Sequence, residues 1–215
     1  MFGKMLKSKI KKIGSSISSV FPMQEEDEYS GPSGEIFMKL KEPETGEILQ
    51  ERHIENVITL DFSVLLARLC KDSLEPNHGI FALAVGTGDS GWDLQNPPAP
   101  TETQRSLYNE IERKDFSEVV FRDSGGSTSS IPTNVVDFTT VFSQSEAVGP
   151  LVEMGLLGGD VNNDLTTTNS ITPANGPYDD SVDVRGKDML CNYLTFPVIN
   201  KPSTAELSLT WRITF

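Results

Sequence analysis

The C-terminal segment of the chain alternates strictly between apolar and polar residues. Its apolar positions are Leu207, Leu209, Trp211, Ile213 and Phe215, and its polar positions are Glu206, Ser208, Thr210, Arg212 and Thr214. A period of two places alternate side chains on opposite faces of a strand. The pattern therefore predicts a β-strand with one face in a core and with Arg212 facing solvent.

Further strand patterns occur upstream. Residues 35–40 alternate in the same way, and residues 48–58 resume an extended pattern after the turn sequence EPETGE, which predicts a β-hairpin. Residues 80–85 are all apolar, as is typical of a strand buried on both faces. Shorter patterns predict strands over residues 116–121, 136–142 and 151–157, and the start of a strand over residues 193–196.

Helical spacing is found twice in the body of the chain. Asp61 can cap a helix that runs through Cys70, and the apolar face of this helix would contain Phe62, Leu65, Leu66 and Leu69. After Thr101, the apolar residues Leu107, Tyr108 and Ile111 occur at helical offsets and predict a short surface helix.

These elements predict a mainly β protein, an antiparallel, jelly-roll-like β-sandwich with one or two short helices. We expect the sandwich over residues 34–215, with long loops at 89–104, 122–133 and 158–184. An acidic linker containing Pro and Gly, residues 25–33, would join it to an N-terminal arm, residues 1–24. Because the 158–184 loop is longer than compact domains normally contain, we interpret it as a contact surface.

The arm has the pattern of a basic amphipathic helix. Apolar residues recur at helical spacing and lysines lie opposite them; the positions expected to contact a partner are Phe2, Lys4, Leu6, Lys7, Ile10, Lys11, Ile13 and Ile17. Such a helix can dock on a protein or lie on a membrane surface, and the remaining alternative is a frayed tail. We expect docking on a protein.

Charge is unevenly distributed along the chain. The arm carries five Lys and no acidic residue, so the formal charge of −13 for the whole chain leaves −18 on the remainder. A body of this charge repels nucleic acid, and we expect no direct nucleic-acid partner. No stretch approaches the roughly 20 apolar residues of a membrane span.

The sequence contains one motif associated with nucleotide binding, and we reject it. Residues 86–91 spell G-x-G-x-x-G after a predicted strand. Pro97, Pro98 and Pro100 follow soon afterwards, where a dinucleotide fold would continue its helix. We therefore expect a turn-rich loop.

No other residue pattern predicts catalysis, and we expect a protein that is not an enzyme. The only histidines, His53 and His78, belong to no recognised catalytic spacing. Cys70 and Cys191 are too few for a disulfide framework and are expected to be reduced packing residues.

The 158–184 loop carries a partial calcium-binding pattern. Asp160, Asn162 and Asp164 match the first three ligand positions of an EF-hand loop. Leu165 and Ile171 occupy the places of its obligatory Gly and its bidentate Glu. An irregular calcium site and a hydrated turn are both compatible with this pattern, and no other cofactor is expected.

Four segments in the same order resemble a group of structural proteins of tailed bacteriophages. They are FALAVGTG from Phe81, LYNEIER from Leu107, FTTVFSQSEAVGPLVEMG from Phe138 and LTFPVINKPSTAELSLTWRITF from Leu194. The resemblance spans about residues 34–215 and does not include the arm. It implies an oligomeric β-sandwich component of a fibre, collar, tail or capsid decoration, located in the virion.

Two hypotheses about function follow. The first is a non-enzymatic virion subunit that is anchored by its arm, with a tail, collar or fibre role or, alternatively, a capsid-decoration role. The second is a calcium-dependent module that binds a host-surface glycan through the 158–184 loop. The expected partners are further copies of the chain and other virion proteins.

Overall fold

A computed structural model describes residues 31–71, 79–159, 175–176 and 188–215. The chain divides into two units, Met1–Gly31 and Pro32–Phe215, and the fold described below belongs to the second. Its elements in chain order are β1 (Ser33–Lys41), β2 (Ile48–Glu55), β3 (Val57–Ile58), α1 (Leu60–Lys71), β4 (Ile80–Gly86), β5 (Glu110–Asp115), β6 (Glu118–Arg122), β7 (Thr128–Ser129), β8 (Val135–Phe142), β9 (Gly149–Gly158), β10 (Met189–Lys201) and β11 (Glu206–Thr214).

The strands form two antiparallel sheets, which confirms the predicted sandwich. The first sheet has the order β2-β1-β11-β8-β6-β7, and the second has the order β3-β10-β9-β4-β5. Their facing sides share one apolar core, with Ile36 and Trp211 from the first sheet and Val85 and Met154 from the second. Alternation along β1 and β11 thus buries one face of the first sheet against the second.

The C-terminal strand confirms its predicted pattern. Leu207, Leu209, Trp211 and Ile213 of β11 are buried in the core. Phe215 lies one residue beyond the strand and is 37% exposed. The predicted hairpin is present as β1 and β2, and the apolar run of residues 80–85 lies within β4.

Helix α1 is confirmed, but its predicted cap is wrong. The helix begins at Leu60, and the Thr59 hydroxyl accepts a hydrogen bond from the Phe62 amide at 3.4 Å, as an N-cap residue does. Asp61 therefore lies in the first turn instead of before it. Phe62 and Leu65 enter the core and Leu69 is exposed, so the buried face is narrower than predicted.

The predicted helix after Thr101 is wrong. Residues 101–109 form no helix, and residues 110–115 form β5. Leu107 is buried, whereas Tyr108 and Ile111 are exposed, so helical spacing did not reflect a common face. This segment packs across the second sheet, so contacts with residues far along the chain, and not helical spacing, determine which of its side chains are buried.

Strand β10 is longer than predicted, since it continues through Pro197. Its pairing with β9 is irregular between Thr195 and Ile199, where proline cannot donate to the ladder. Partners outside the sheet compensate: Arg52 donates to the carbonyls of Pro197 and Val198, and the Val198 amide donates to the Leu94 carbonyl at 2.8 Å.

Candidate functional site

Residues 87–109, here called the strap, link β4 to β5 across the outer face of the second sheet. The strap contacts β10 twice: Leu94 accepts from the Val198 amide, and the Pro98 carbonyl accepts from the Thr195 hydroxyl at 2.7 Å. It then reaches α1, where the Glu102 carbonyl accepts from the Leu60 amide at 2.8 Å. Residues 89–104, which the sequence predicts to be a loop, belong to this folded-back segment.

An apolar cluster lies under the strap. Leu107 packs with outward-facing residues of the second sheet, namely Ala82, Ala84, Leu157, Leu190 and Tyr193. The residues next to them in the strands, such as Leu83 and Leu156, are on the opposite face and belong to the core between the sheets. Both faces of this sheet are therefore covered, which explains why β4 is an uninterrupted apolar run.

Glu153 of β9 joins the strap to the sheet, and its side chain is fully buried. One carboxylate oxygen accepts from the amides of Gly88 at 3.1 Å and Asn109 at 2.8 Å. The other accepts from the Tyr108 amide at 3.0 Å and the Tyr193 hydroxyl at 2.7 Å. Four donors thus satisfy one buried carboxylate, and three of them are backbone amides of the strap.

The two glycines that begin the G-x-G-x-x-G motif serve this packing. A Cβ at Gly86 would lie 2.6 Å from a Glu153 carboxylate oxygen and from the Asn109 carbonyl oxygen. A Cβ at Gly88, where φ is +69°, would lie 2.4 Å from the Trp92 ring. The motif therefore reflects close approach to a carboxylate and an indole, in agreement with its rejection as a nucleotide site.

At its far side, the strap meets the first turn of α1. Arg105 lies 3.8 Å from Asp61, and both side chains are buried. Burial raises the pKa of Asp61 to about 6, although the charge of Arg105 opposes the shift. This part of the strap also meets residue 175: the Thr103 hydroxyl donates to the Asn175 side chain at 2.5 Å, and the Thr103 carbonyl accepts from the Gly176 amide.

An open groove of about 580 Å³ lies beside the Glu153 anchor, at the start of the strap. It is lined by Thr87, Gly88, Asp89, Ser90, Trp92, Leu94, Tyr108, Asn109 and Pro150. The rings of Trp92 and Tyr108 meet edge to face, with centroids 4.8 Å apart. We call this feature the Trp92 groove.

The outer face of the first sheet carries a row of charged residues. Glu55, Glu35, Arg212 and Asp137 are directly opposed in succession across β2, β1, β11 and β8. Asp137 is buried and accepts from Arg212 at 2.7 and 3.0 Å and from Arg122 at 2.6 Å. Burial alone would raise the pKa of Asp137, but these guanidinium groups hold it below its usual range. Arg212 therefore lies on the outer face, as predicted, but it is only partly exposed because it binds Asp137.

A second opening, of about 390 Å³, lies at the end of this row. It is lined by Ser33, Gly34, Glu35, Glu55, Asn56, Arg212 and Thr214. Behind it, the Asn192 side chain is fully buried, and its amide atoms have no hydrogen-bond partner among the described residues.

The site residues predicted for the arm and for calcium, Phe2 to Ile17 and Asp160, Asn162 and Asp164, lie outside the described residues. His53 lies on β2, stacks on Phe37 with ring centroids 4.4 Å apart, and contacts Glu35 at 2.6 Å. Cys191 is a free, buried thiol, as predicted, and burial raises its pKa. His78 and the side chain of Cys70 also lie outside the described part.

Sequence reasoning missed Glu153 and the strap. The available signal was a single carboxylate within the otherwise apolar run LVEMGLL, since a charged residue in a buried strand requires partners.

In the described part of the chain, no three His, Cys, Asp or Glu side chains are grouped to hold a metal ion. Among these described residues, no helix is long and apolar enough to cross a membrane. A scan against protein-family models finds no match, and a search of curated proteins finds no significant relative.

Proposed function

We propose that the protein is a non-enzymatic structural component of a tailed-phage virion. The resemblance over residues 34–215 motivates this proposal, and the sandwich architecture is compatible with it. One observation supports it above the others: the two carboxylates buried at the centres of the sheets, Glu153 and Asp137, are engaged by internal donors.

This use of carboxylates favours a structural role. A general base needs a free lone pair within reach of a substrate proton, and a general acid must be able to donate its own proton to a substrate atom. Glu153 is bound by strap amides and Tyr193, and Asp137 is enclosed by two arginines. Both groups therefore hold the fold together and are not available to a substrate.

The surface supplies features that suit assembly. Among the described residues, strand β2 is an edge of the first sheet, and its outer backbone groups can pair with a strand of another subunit. Ile48 and Leu49, at the start of this strand, are both about half exposed. In our proposal, copies of the chain or other virion proteins contact the body along this edge.

The arm supplies the second contact in this proposal. Its five lysines are attracted by an acidic surface such as that of a neighbouring body, and its apolar stripe requires a groove. Anchoring by the arm and pairing along β2 would give each subunit two separate contacts in the particle.

The experiment is to purify particles of the phage that encodes this chain and to detect the protein with antibodies raised against residues 31–215. We expect it to sediment with intact particles, and labelling should assign it to the head, collar, tail or fibre. Recovery of the protein only outside particles would contradict the proposal.

A deletion of residues 1–24 tests the anchor separately, with substitution of Lys4, Lys7 and Lys11 by Arg as the charge-preserving control. We expect the deletion to give a folded subunit that is not incorporated, while the Arg variant is incorporated. Normal incorporation of the deletion variant would exclude anchoring by the arm.

A further inference from the structure

The Trp92 groove has two aromatic walls and polar groups at its rim. Trp92 lies directly on the Gly88 backbone, as shown by the 2.4 Å distance from a Cβ at that position to the ring. The Tyr108 ring meets Trp92 edge to face, and the Tyr108 amide is bound by Glu153. The Trp92 ring and the Tyr108 backbone are therefore held before any ligand binds, which reduces the entropy cost of binding.

The polar groups at the groove are neutral or acidic. Thr87 and Ser90 supply hydroxyl groups, Asn109 an amide and Asp89 a carboxylate. Asn109 donates to the Thr87 hydroxyl at 2.6 Å, and one Asp89 oxygen accepts from the Gly91 amide at 2.8 Å, so both side chains are oriented. The second carboxylate oxygen of Asp89 and the side-chain amide oxygen of Asn109 can accept hydrogen bonds from a ligand hydroxyl.

The chemistry of the lining selects the class of ligand. No Lys, Arg or His is among the described residues that line the groove, and the chain has a net charge of −13, so an anionic ligand is disfavoured. A purely apolar ligand would leave the hydroxyl, amide and carboxylate groups without partners. A ligand with an apolar face and several hydroxyl groups satisfies both parts of the lining.

We infer that the Trp92 groove binds a neutral saccharide, with C–H faces of the sugar against Trp92 and Tyr108 and hydroxyl groups on Asp89 and Asn109. None of the described residues that line this groove belongs to the 158–184 loop. The inference does not depend on a location in a virion, so the two proposals can fail independently.

The chain offers an internal reference for a binding experiment, because it contains two tryptophans. Trp211 is buried in the core, whereas Trp92 lines the groove. We propose titrating the full chain with neutral oligosaccharides of glucose, galactose, mannose or N-acetylglucosamine while both indole N–H signals are followed by NMR. We expect at least one sugar to shift the Trp92 signal saturably and to leave the Trp211 signal in place.

Variants then assign the contact. Tyr108→Ala retains the backbone amide that binds Glu153, and we expect it to weaken binding about tenfold or more. Trp92→Ala should abolish saturable binding, as measured by calorimetry, and the control Ile131→Ala, at an exposed residue outside the groove, should bind normally. The inference is overturned if no sugar in the panel binds or if Tyr108→Ala binds as tightly as the parent.

Discussion

The outer faces of the two sheets each contain a buried carboxylate, and the two are stabilised in different ways. Asp137, on the first sheet, is bound by the guanidinium groups of Arg122 and Arg212, which project from neighbouring strands. Glu153, on the second, is bound by three backbone amides and one hydroxyl group. The first arrangement links strands within a sheet, whereas the second links a sheet to a distant loop.

This difference determines how the hydrogen-bond donors around each carboxylate could be satisfied if the carboxylate were removed. The arginines at Asp137 are partly exposed, so they can be hydrated if the carboxylate is removed. The amides at Glu153 belong to a strap that is folded over the sheet, and their new partners would have to come from water entering that region. We therefore expect the two positions to respond unequally to substitution.

The largest effect is expected for Glu153→Ala. The substitution leaves several buried donors without an acceptor, and we expect it to lower the free energy of unfolding by about 3 to 5 kcal/mol. Urea denaturation measures the change, with Glu55→Ala, at an exposed Glu, as the matched control. Similar losses for the two variants would show that the Glu153 hydrogen bonds do not stabilise the fold.

A smaller effect is expected in the pH dependence of stability, to which Asp61 and Asp137 contribute with opposite signs. Because burial raises the pKa of Asp61 to about 6, its contribution to stability is complete below its unfolded pKa, near 4, and is lost as pH rises through about 6. The loss is at most about 3 kcal/mol. Asp61→Asn should remove this dependence between about pH 4 and 6, as followed by urea denaturation at successive pH values.

Asp137 affects the pH dependence of stability in the opposite direction. Its pKa is held below the usual range by Arg212 and Arg122, against the effect of burial, so its contribution is present above its unfolded pKa and is lost as pH falls through its folded value. Asp137→Asn should therefore reduce the loss of stability in acid. Parallel acid denaturation curves for this variant and the parent would contradict the assigned ion pairs.

Arg212→Ala should have an intermediate effect of about 1 to 2 kcal/mol, since Asp137 keeps Arg122 but loses two hydrogen bonds from Arg212. Thermal denaturation of this variant and of Arg122→Ala measures the contribution of each arginine. A cost near zero for Arg212→Ala would mean that Arg122 alone satisfies Asp137.

The smallest effect is expected for Lys39→Ala. Lys39 pairs with Glu51 at 3.0 Å on the same face of the first sheet, but both side chains are largely exposed. Exposed pairs contribute about 0 to 1 kcal/mol, and added salt weakens them further. A loss above that range would indicate that exposure does not distinguish this pair from the Asp137 cluster.

The sequence predicts those elements whose burial pattern is local. The alternation in β11 and the apolar run in β4 correspond directly to buried faces. The strap could not be found in this way, because its buried residues include Gln104, Arg105 and Ser106, which are normally exposed. Their position depends on partners far along the chain, such as Asp61.

The same reason explains why the length of β10 is underpredicted and why the sequence does not reveal the Trp92 groove. Pro197 remains within β10, where its carbonyl accepts a hydrogen bond from Arg52, and neither residue indicates this contact in the sequence. The groove combines residues of the strap with Pro150 of β9, and the Gly-rich motif beside it is short and common. Only the folded arrangement brings these groups together.

The central claim is that Glu153 holds the strap on the second sheet, and amide hydrogen exchange tests it most directly. In the parent protein, we expect the amides of Gly88, Tyr108 and Asn109 to be protected, although residues 108 and 109 are exposed at the surface. In Glu153→Gln, these three amides should exchange at least about tenfold faster, while those of β8 and β11 keep their protection. Fast exchange of the three amides in the parent, or unchanged protection in the variant, would contradict the account.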